Sequence, residues 1–170
     1  MCLETCIRAD GHDGGEWIRA DDGRRYNLLL EPLGQLLQCR LPDSQQGLVS
    51  GGTEGYRALV QGVDSENGSV VGCLVALASA AGDEQLWKPL NYSVLQACGN
   101  DRRPEVRMAG VSCLLSLIRS LGEEYMVLLP ECLPNLSELL EDSDEDIVGI
   151  AQECIQLSEE LLGESLQDSL

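Results

Sequence analysis

Seven positions in the second half of this chain recur forty-one residues later, and this repeat constrains the fold more than any other feature. Pro89 aligns with Pro130, Leu95 with Leu136, Asp101 with Asp142, Val106 with Ile147, Cys113 with Cys154, Leu121 with Leu162 and Gly122 with Gly163. A fixed period of this length marks one supersecondary unit laid down twice. Each unit reads as a pair of helices. Asp83 can cap a helix running to about Cys98, and Asn100 to Pro104 is the turn. Pro104 sits at a helix start, where its missing N–H costs little. The next helix, Glu105 to Leu121, stops at Gly122; Glu123 to Leu140 and Asp144 to Leu162 repeat the arrangement and stop at Gly163. A glycine just past a helix end supplies the left-handed cap.

One such pair cannot bury both of its apolar faces, so it stacks on a neighbour and the core runs along the array. The expected fold class is therefore all-α, a HEAT/armadillo-like α-α superhelix. Val106 to Leu121 is apolar nearly throughout, whereas the first helix of each pair is more amphipathic. Upstream, Met1 to Ala9 reads as the tail of a helix and Asp10 to Gly23 as a polar, glycine-rich loop. Arg24 to Gln38 is apolar at Tyr26, Leu29, Leu30, Leu33, Leu36 and Leu37, the spacing of an amphipathic helix. Pro42 to Thr53 reads as a second loop and Glu54 to Val63 as a short helix. Asn67-Gly68-Ser69 is a turn with an N-cap, followed by Val70 to Ala81, apolar on all sides and hence buried. The expected organisation is a helix end and loop over 1–23, degenerate helical repeats with long loops over 24–82, one repeat over 83–122, and an acidic terminal repeat over 123–170.

Composition enters at three points. Phe is absent and aromatics are 4% of residues, so the core must be built from Leu, Val, Ile and Ala, which favours helices over a sandwich. The formal charge of −18 is uneven: 123–170 holds fourteen acids and no Lys or Arg, while 1–122 holds fifteen acids against eleven bases. Binding of nucleic acid depends on clustered cations that release counterions, so the acidic third should repel phosphates and suits a basic protein partner better. Finally, six of the eight cysteines (Cys39, Cys73, Cys98, Cys113, Cys132, Cys154) stand singly in apolar segments, as small hydrophobes do. Met1 to Asp10 lacks the apolar core of a signal peptide, and no stretch is apolar enough to span a membrane. The expectation is a reducing, intracellular setting, with the sequons at Asn67, Asn91 and Asn135 as chance matches.

Catalysis is poorly provisioned. The single histidine, His12, lies in the glycine-rich stretch. A Cys2/Cys6/His12 metal site would have three ligands and no second pair, and a Cys–His nucleophile there has no flanking motif. Asp10 to Glu16 lacks the order of a calcium loop, and no phosphate-binding glycine motif follows a strand. The reading is a non-enzyme with no cofactor, no metal, no small-molecule substrate and no membrane attachment. Three sets remain as candidate contacts. Arg102, Arg103 and Arg107 form a basic patch that either meets an acidic partner or pairs with Glu141, Asp142 or Asp144 of the next turn. Trp87 and Tyr92, with Lys88 between them, serve either as packing anchors or as a protein-binding hot spot. Ser143, inside Glu141 to Asp146, either caps the following helix together with Asp144 or is phosphorylated by an acid-directed kinase.

Asp101-Arg102-Arg103-Pro104-Glu105-Val106-Arg107 resembles the inter-helix turn of HEAT repeats. Leu86 to Tyr92, Leu121 to Glu131, Leu139 to Asp142, Leu161 to Gln167 and Arg25 to Leu33 resemble the C-terminal end of the HEAT repeat-containing protein 1 / U-three small nucleolar RNA-associated protein 10 family. The resemblance is dense over Asp83 to Gln167 and thin over Met1 to Gly82. It departs at Gly11 to Gly15 and Gln46 to Thr53, which look like loop insertions. It implies a nucleolar scaffold of the small-subunit processome, working in pre-ribosomal RNA processing among other proteins of a large ribonucleoprotein. It carries over no catalytic residue. A different class of HEAT protein, a transport-receptor or phosphatase-scaffold adaptor gripping a basic peptide, fits the residues as the alternative.

Overall fold

The computed structural model describes residues 3–12, 15–38, 60, 69–100 and 102–166. Among them are eight α-helices and one 3₁₀ segment, with no strand. The helices are α1 (Leu3–His12), α2 (Glu16–Arg19), α3 (Arg24–Leu37), α4 (Val70–Ala81), α5 (Glu84–Cys98), α6 (Pro104–Leu121), α7 (Leu129–Leu139) and α8 (Glu145–Leu162). They lie in two layers. In one, α1, α4, α6 and α8 pack successively, each on the next; in the other, α3, α5 and α7 do the same. The chain is an all-α, HEAT/armadillo-like α-α superhelix.

Local chemistry sets the helix ends. Ser69 caps α4 by accepting from the Gly72 amide at 2.8 Å, Asp83 caps α5 through Gln85 at 2.8 Å, and Asp144 caps α8 through Asp146 at 3.0 Å. Each cap satisfies an amide that has no partner inside its own helix. Pro104 opens α6 as expected, and Gly122 and Gly163 close α6 and α8 at φ 59° and 71°.

Two expectations are corrected. The stretch 10–23 is not one loop: α1 runs on to His12, and one helical turn forms at Glu16–Arg19. Its free amides at Trp17 and Ile18 are taken by the Asp10 carboxylate at 3.2 and 3.1 Å, a cap delivered from seven and eight residues away. Nor is 123–140 a single helix. Gly122–Leu128 is 3₁₀, and α7 begins only at Leu129, with Pro130 in its first turn. Proline has no N–H to continue a ladder backwards, so the segment ahead closes separately with tighter i→i+3 bonds. The expected loop 42–53, the expected helix Glu54–Val63 apart from the buried Val60, and the Asn67-Gly68 part of the turn lie outside the described residues, as does Asp101.

The core is aliphatic and continuous from α1 to α8. Leu74 and Leu77 of α4, Leu90 of α5 and Leu114 and Leu117 of α6 are fully buried. So are Val106 and Ile147, and Cys113 and Cys154, which the forty-one-residue offset pairs. The offset also appears as direct contact: the Ser79 and Ser120 hydroxyls lie 3.1 Å apart, and Cys132 Sγ donates to Asn91 Oδ1 at 3.4 Å.

One core group is uncompensated among the described residues. The Tyr26 side chain is fully buried, and its hydroxyl has no hydrogen-bond partner among them. Burial alone pushes its ionisation far above the ordinary tyrosine value, so it is a neutral, orphaned O–H. An unsatisfied buried donor costs about 1–3 kcal/mol. Tyr26→Phe keeps the ring and removes the orphan, so it should stabilise the chain by about 1 kcal/mol. In thermal unfolding the expected result is a Tm higher by about 2–4 °C; a lower Tm would show that the hydroxyl has an acceptor.

Candidate functional site

The structure scatters the candidate contacts rather than gathering them. Trp87 is 3% exposed. Its indole Nε1 donates to the Ala78 carbonyl at 2.8 Å, and its ring meets Tyr125 at 6.3 Å between centroids, tilted by 59°. It ties α5 to α4 and to the 3₁₀ segment, so it offers no surface to a partner and leaves the contact set. Lys88 is exposed on the other side of the same turn and pairs with Glu84 at 2.8 Å. Tyr92 is 66% exposed.

The basic patch resolves differently at each residue. Arg107 reaches from α6 to Asp142, with Nε at 2.6 Å from Oδ2 and Nη2 at 3.0 Å from Oδ1. Their side chains are only 16% and 5% exposed. Arg107 Nη1 also donates to the Asn100 carbonyl at 3.0 Å, and Asp142 accepts from the Asp144 amide at 3.0 Å. The hydrogen bonds from Arg107 above all hold the Asp142 carboxyl below its ordinary value, with burial opposing them. Arg103 pairs with Glu105 at 2.8 Å, and Arg102 is exposed beside them. The intra-array pairing is thus realised at Arg107, which spans the two inter-helix turns. Ser143 is exposed at the bend before α8, where Asp144 takes the capping role.

Among the described residues five thiols, Cys73 of α4, Cys98 of α5, Cys113 of α6, Cys132 of α7 and Cys154 of α8, are buried in the core. Burial pushes Cys113, Cys132 and Cys154 up to about 12 and Cys98 well above the ordinary thiol value. The thiolate is the reactive form, so these groups behave as packing. Cys6 is exposed on α1, while Cys2 and the His12 side chain of the imagined metal set lie outside the described residues. Asn91, which the sequence offered only as a sequon, is fully buried. It accepts from the Tyr125 hydroxyl at 2.7 Å and donates to Glu131 at 3.3 Å, so it fixes α5 against the next unit.

One surface was not anticipated. Tyr92 and Pro89 of α5 face Asn27, Glu31 and Gln35 of α3 and Gln38, which caps its C-terminal end, across a groove of about 560 Å³. The α3 row is visible in the sequence as a polar stripe at four-residue steps, but nothing there says which helix stands opposite. Among the described residues, no helix is long and apolar enough to cross a membrane.

No family model matches the chain. It is 37% identical over 143 residues to HEAT repeat-containing protein 1 of Homo sapiens, a match covering 84% of this chain and 6% of that protein. It is 40% identical over 104 residues to U3 small nucleolar RNA-associated protein 10 of Coccidioides immitis, covering 57% of this chain and 6% of the relative. An uncharacterized protein of Arabidopsis thaliana is 33% identical over 169 residues, covering 99% of this chain and 7% of its own length. The chain therefore spans only 6–7% of the length of these relatives.

Proposed function

Because the chain belongs to the family of HEAT repeat-containing protein 1 and U3 small nucleolar RNA-associated protein 10, we propose that it is a non-catalytic scaffold segment in ribosome biogenesis. In this reading it works within the small-subunit processome, the nucleolar assembly in which pre-ribosomal RNA is processed. The observation that carries the reading is the 37% identity to HEAT repeat-containing protein 1, sustained over 84% of the chain.

The physical chemistry supports the same role. Five buried thiols and the Arg107–Asp142 pair are committed to holding helices together, which suits a rigid surface rather than a reaction centre. Residues 83–122 and 123–170 serve as two repeats, the second turning an acidic outer face toward basic proteins of the assembly. The segment 123–170 holds fourteen acids and no Lys or Arg, so contact with RNA falls to other components. Ser143, exposed among acids at a helix start, is the proposed phosphorylation point.

The test is affinity purification of the tagged protein from nuclear extract, with probing for U3 small nucleolar RNA. The expected result is co-purification of that RNA with ribosomal assembly proteins, and no RNA crosslinked by ultraviolet light to residues 123–170. Recovery in cytosolic cargo complexes without the RNA would replace this reading with the adaptor alternative.

A further inference from the structure

The groove between α3 and α5 has a composition that stacking alone does not require. Asn27, Glu31 and Gln35 follow at four-residue steps, which places them in one row on one face of α3. All three are exposed. The opposite wall is Pro89 and the exposed Tyr92. At the floor α3 comes close to α5 because residue 34 is glycine: a Cβ there would overlap Ser93 Oγ. Gln38 fixes the spacing of the walls by donating from Nε2 to the Ser93 carbonyl at 3.1 Å and to its hydroxyl at 3.2 Å. The groove is open to solvent along its length, and its volume of about 560 Å³ is within the range of ligand-binding clefts.

The lining chemistry selects the occupant. A carboxamide carries two donors and an acceptor on one planar group. A peptide main chain, with an N–H and a C=O at each residue, can use both; a phosphate only accepts and an alkyl chain does neither. Among the described lining residues Glu31 is the one charged group, and no cation lines the groove. An exposed tyrosine ring presents a face that attracts a guanidinium, and a carboxylate close by takes its N–H groups. The chain's overall charge of −18, most of it on 123–170, adds only a long-range pull on a cationic partner.

We propose that this groove binds an extended, arginine-bearing segment of a partner protein, with Asn27 and Gln35 pairing its main chain and Tyr92 and Glu31 holding the arginine. The inference rests on the scaffold reading for the partner's being a protein, and it names the surface and the chemistry of one contact.

The probe is a short fluorescein-labelled Gly-Arg-Ser repeat peptide, titrated against the full chain by anisotropy, with a Gly-Glu-Ser repeat peptide and single-stranded oligouridylate as comparisons. Binding of the arginine peptide alone is expected. Tyr92→Ala and Glu31→Gln, both at exposed positions, should each weaken it at least about fivefold. Glu145→Gln, on α8 and outside the groove, should leave it within about twofold, since an exposed charge contributes little. Three results would overturn the inference: no binding of the arginine peptide, equal weakening by all three variants (diffuse attraction to the acidic surface), or tight oligouridylate binding that the peptide does not displace. Loss of groove binding with U3 RNA co-purification intact would remove this inference alone. Loss of co-purification with groove binding intact would remove the scaffold reading alone.

Discussion

Replacing Trp87 with alanine should cost about 3–5 kcal/mol of folding stability, the usual range for deleting a buried indole. Most of that cost is the cavity. Trp87 is the meeting point of three elements: its own helix α5, the Ala78 carbonyl of α4, and Tyr125 in the 3₁₀ segment. The hydrogen bond is the smaller part, because the Ala78 carbonyl also accepts from the Gly82 amide at 3.2 Å and so keeps a partner. The tilted contact with Tyr125 contributes about 0.5–1.5 kcal/mol beyond area burial. Trp87→Phe should therefore retain more than half of the lost stability. Against a total of about 5–15 kcal/mol for an ordinary domain, the alanine variant stands near the edge of folding. Urea unfolding followed by far-ultraviolet circular dichroism measures the difference. An alanine variant as stable as the parent, yet defective in retaining assembly partners, would restore the hot-spot reading that its burial argues against.

The contrast between Trp87 and Tyr92 shows where sequence reasoning stops. Both are aromatic, five residues apart, and both offer an apolar ring with a polar tip. Helix periodicity puts them on different faces, but which face meets the core depends on the packing of α4 and α7 around α5. Helix ends fared better because their causes are local. Ser69, Asp83, Asp144 and Gly163 act within four residues of themselves, and their types announce the role. The turn at Glu16–Arg19 was missed because its cap comes from Asp10, across a glycine-rich stretch that reads as a loop. Asn91 was invisible for the same reason on a larger scale: Tyr125 and Glu131 lie 34 and 40 residues on, and only the stacking of units brings them to it. The groove is an intermediate case, with one wall legible as a polar row on α3 and the other supplied by tertiary structure.

Arg107→Ala should cost up to about 3 kcal/mol, the pair being half-buried and the lower end of the range for a buried ion pair its upper bound. The lower end applies because the Arg107 side chain keeps 16% of its surface in water, although Asp142 keeps only 5%. The loss comes chiefly from what remains: a carboxylate largely out of solvent whose guanidinium is gone, held by the Asp144 and Ser143 backbone amides. Replacing both partners, as in Arg107→Met with Asp142→Leu, should then cost much less than the sum of the single changes, because no stranded charge is left. A double-mutant cycle by urea unfolding reads this directly, and additive costs would show that the pair is not coupled. The pair also sets a pH dependence. Asp142 binds its proton less readily in the folded state than in the unfolded chain, where an aspartate titrates near about 3.9. Its contribution is thus fully present above that value and is lost as pH falls through the lower, folded-state value. The parent should lose stability more steeply than Arg107→Ala as the solution is acidified from about pH 5, because the variant has lost the main cause of the depression. Parallel slopes for the two proteins through that window would mean that Arg107 does not hold Asp142 ionised, and that the link between the two inter-helix turns is packing alone.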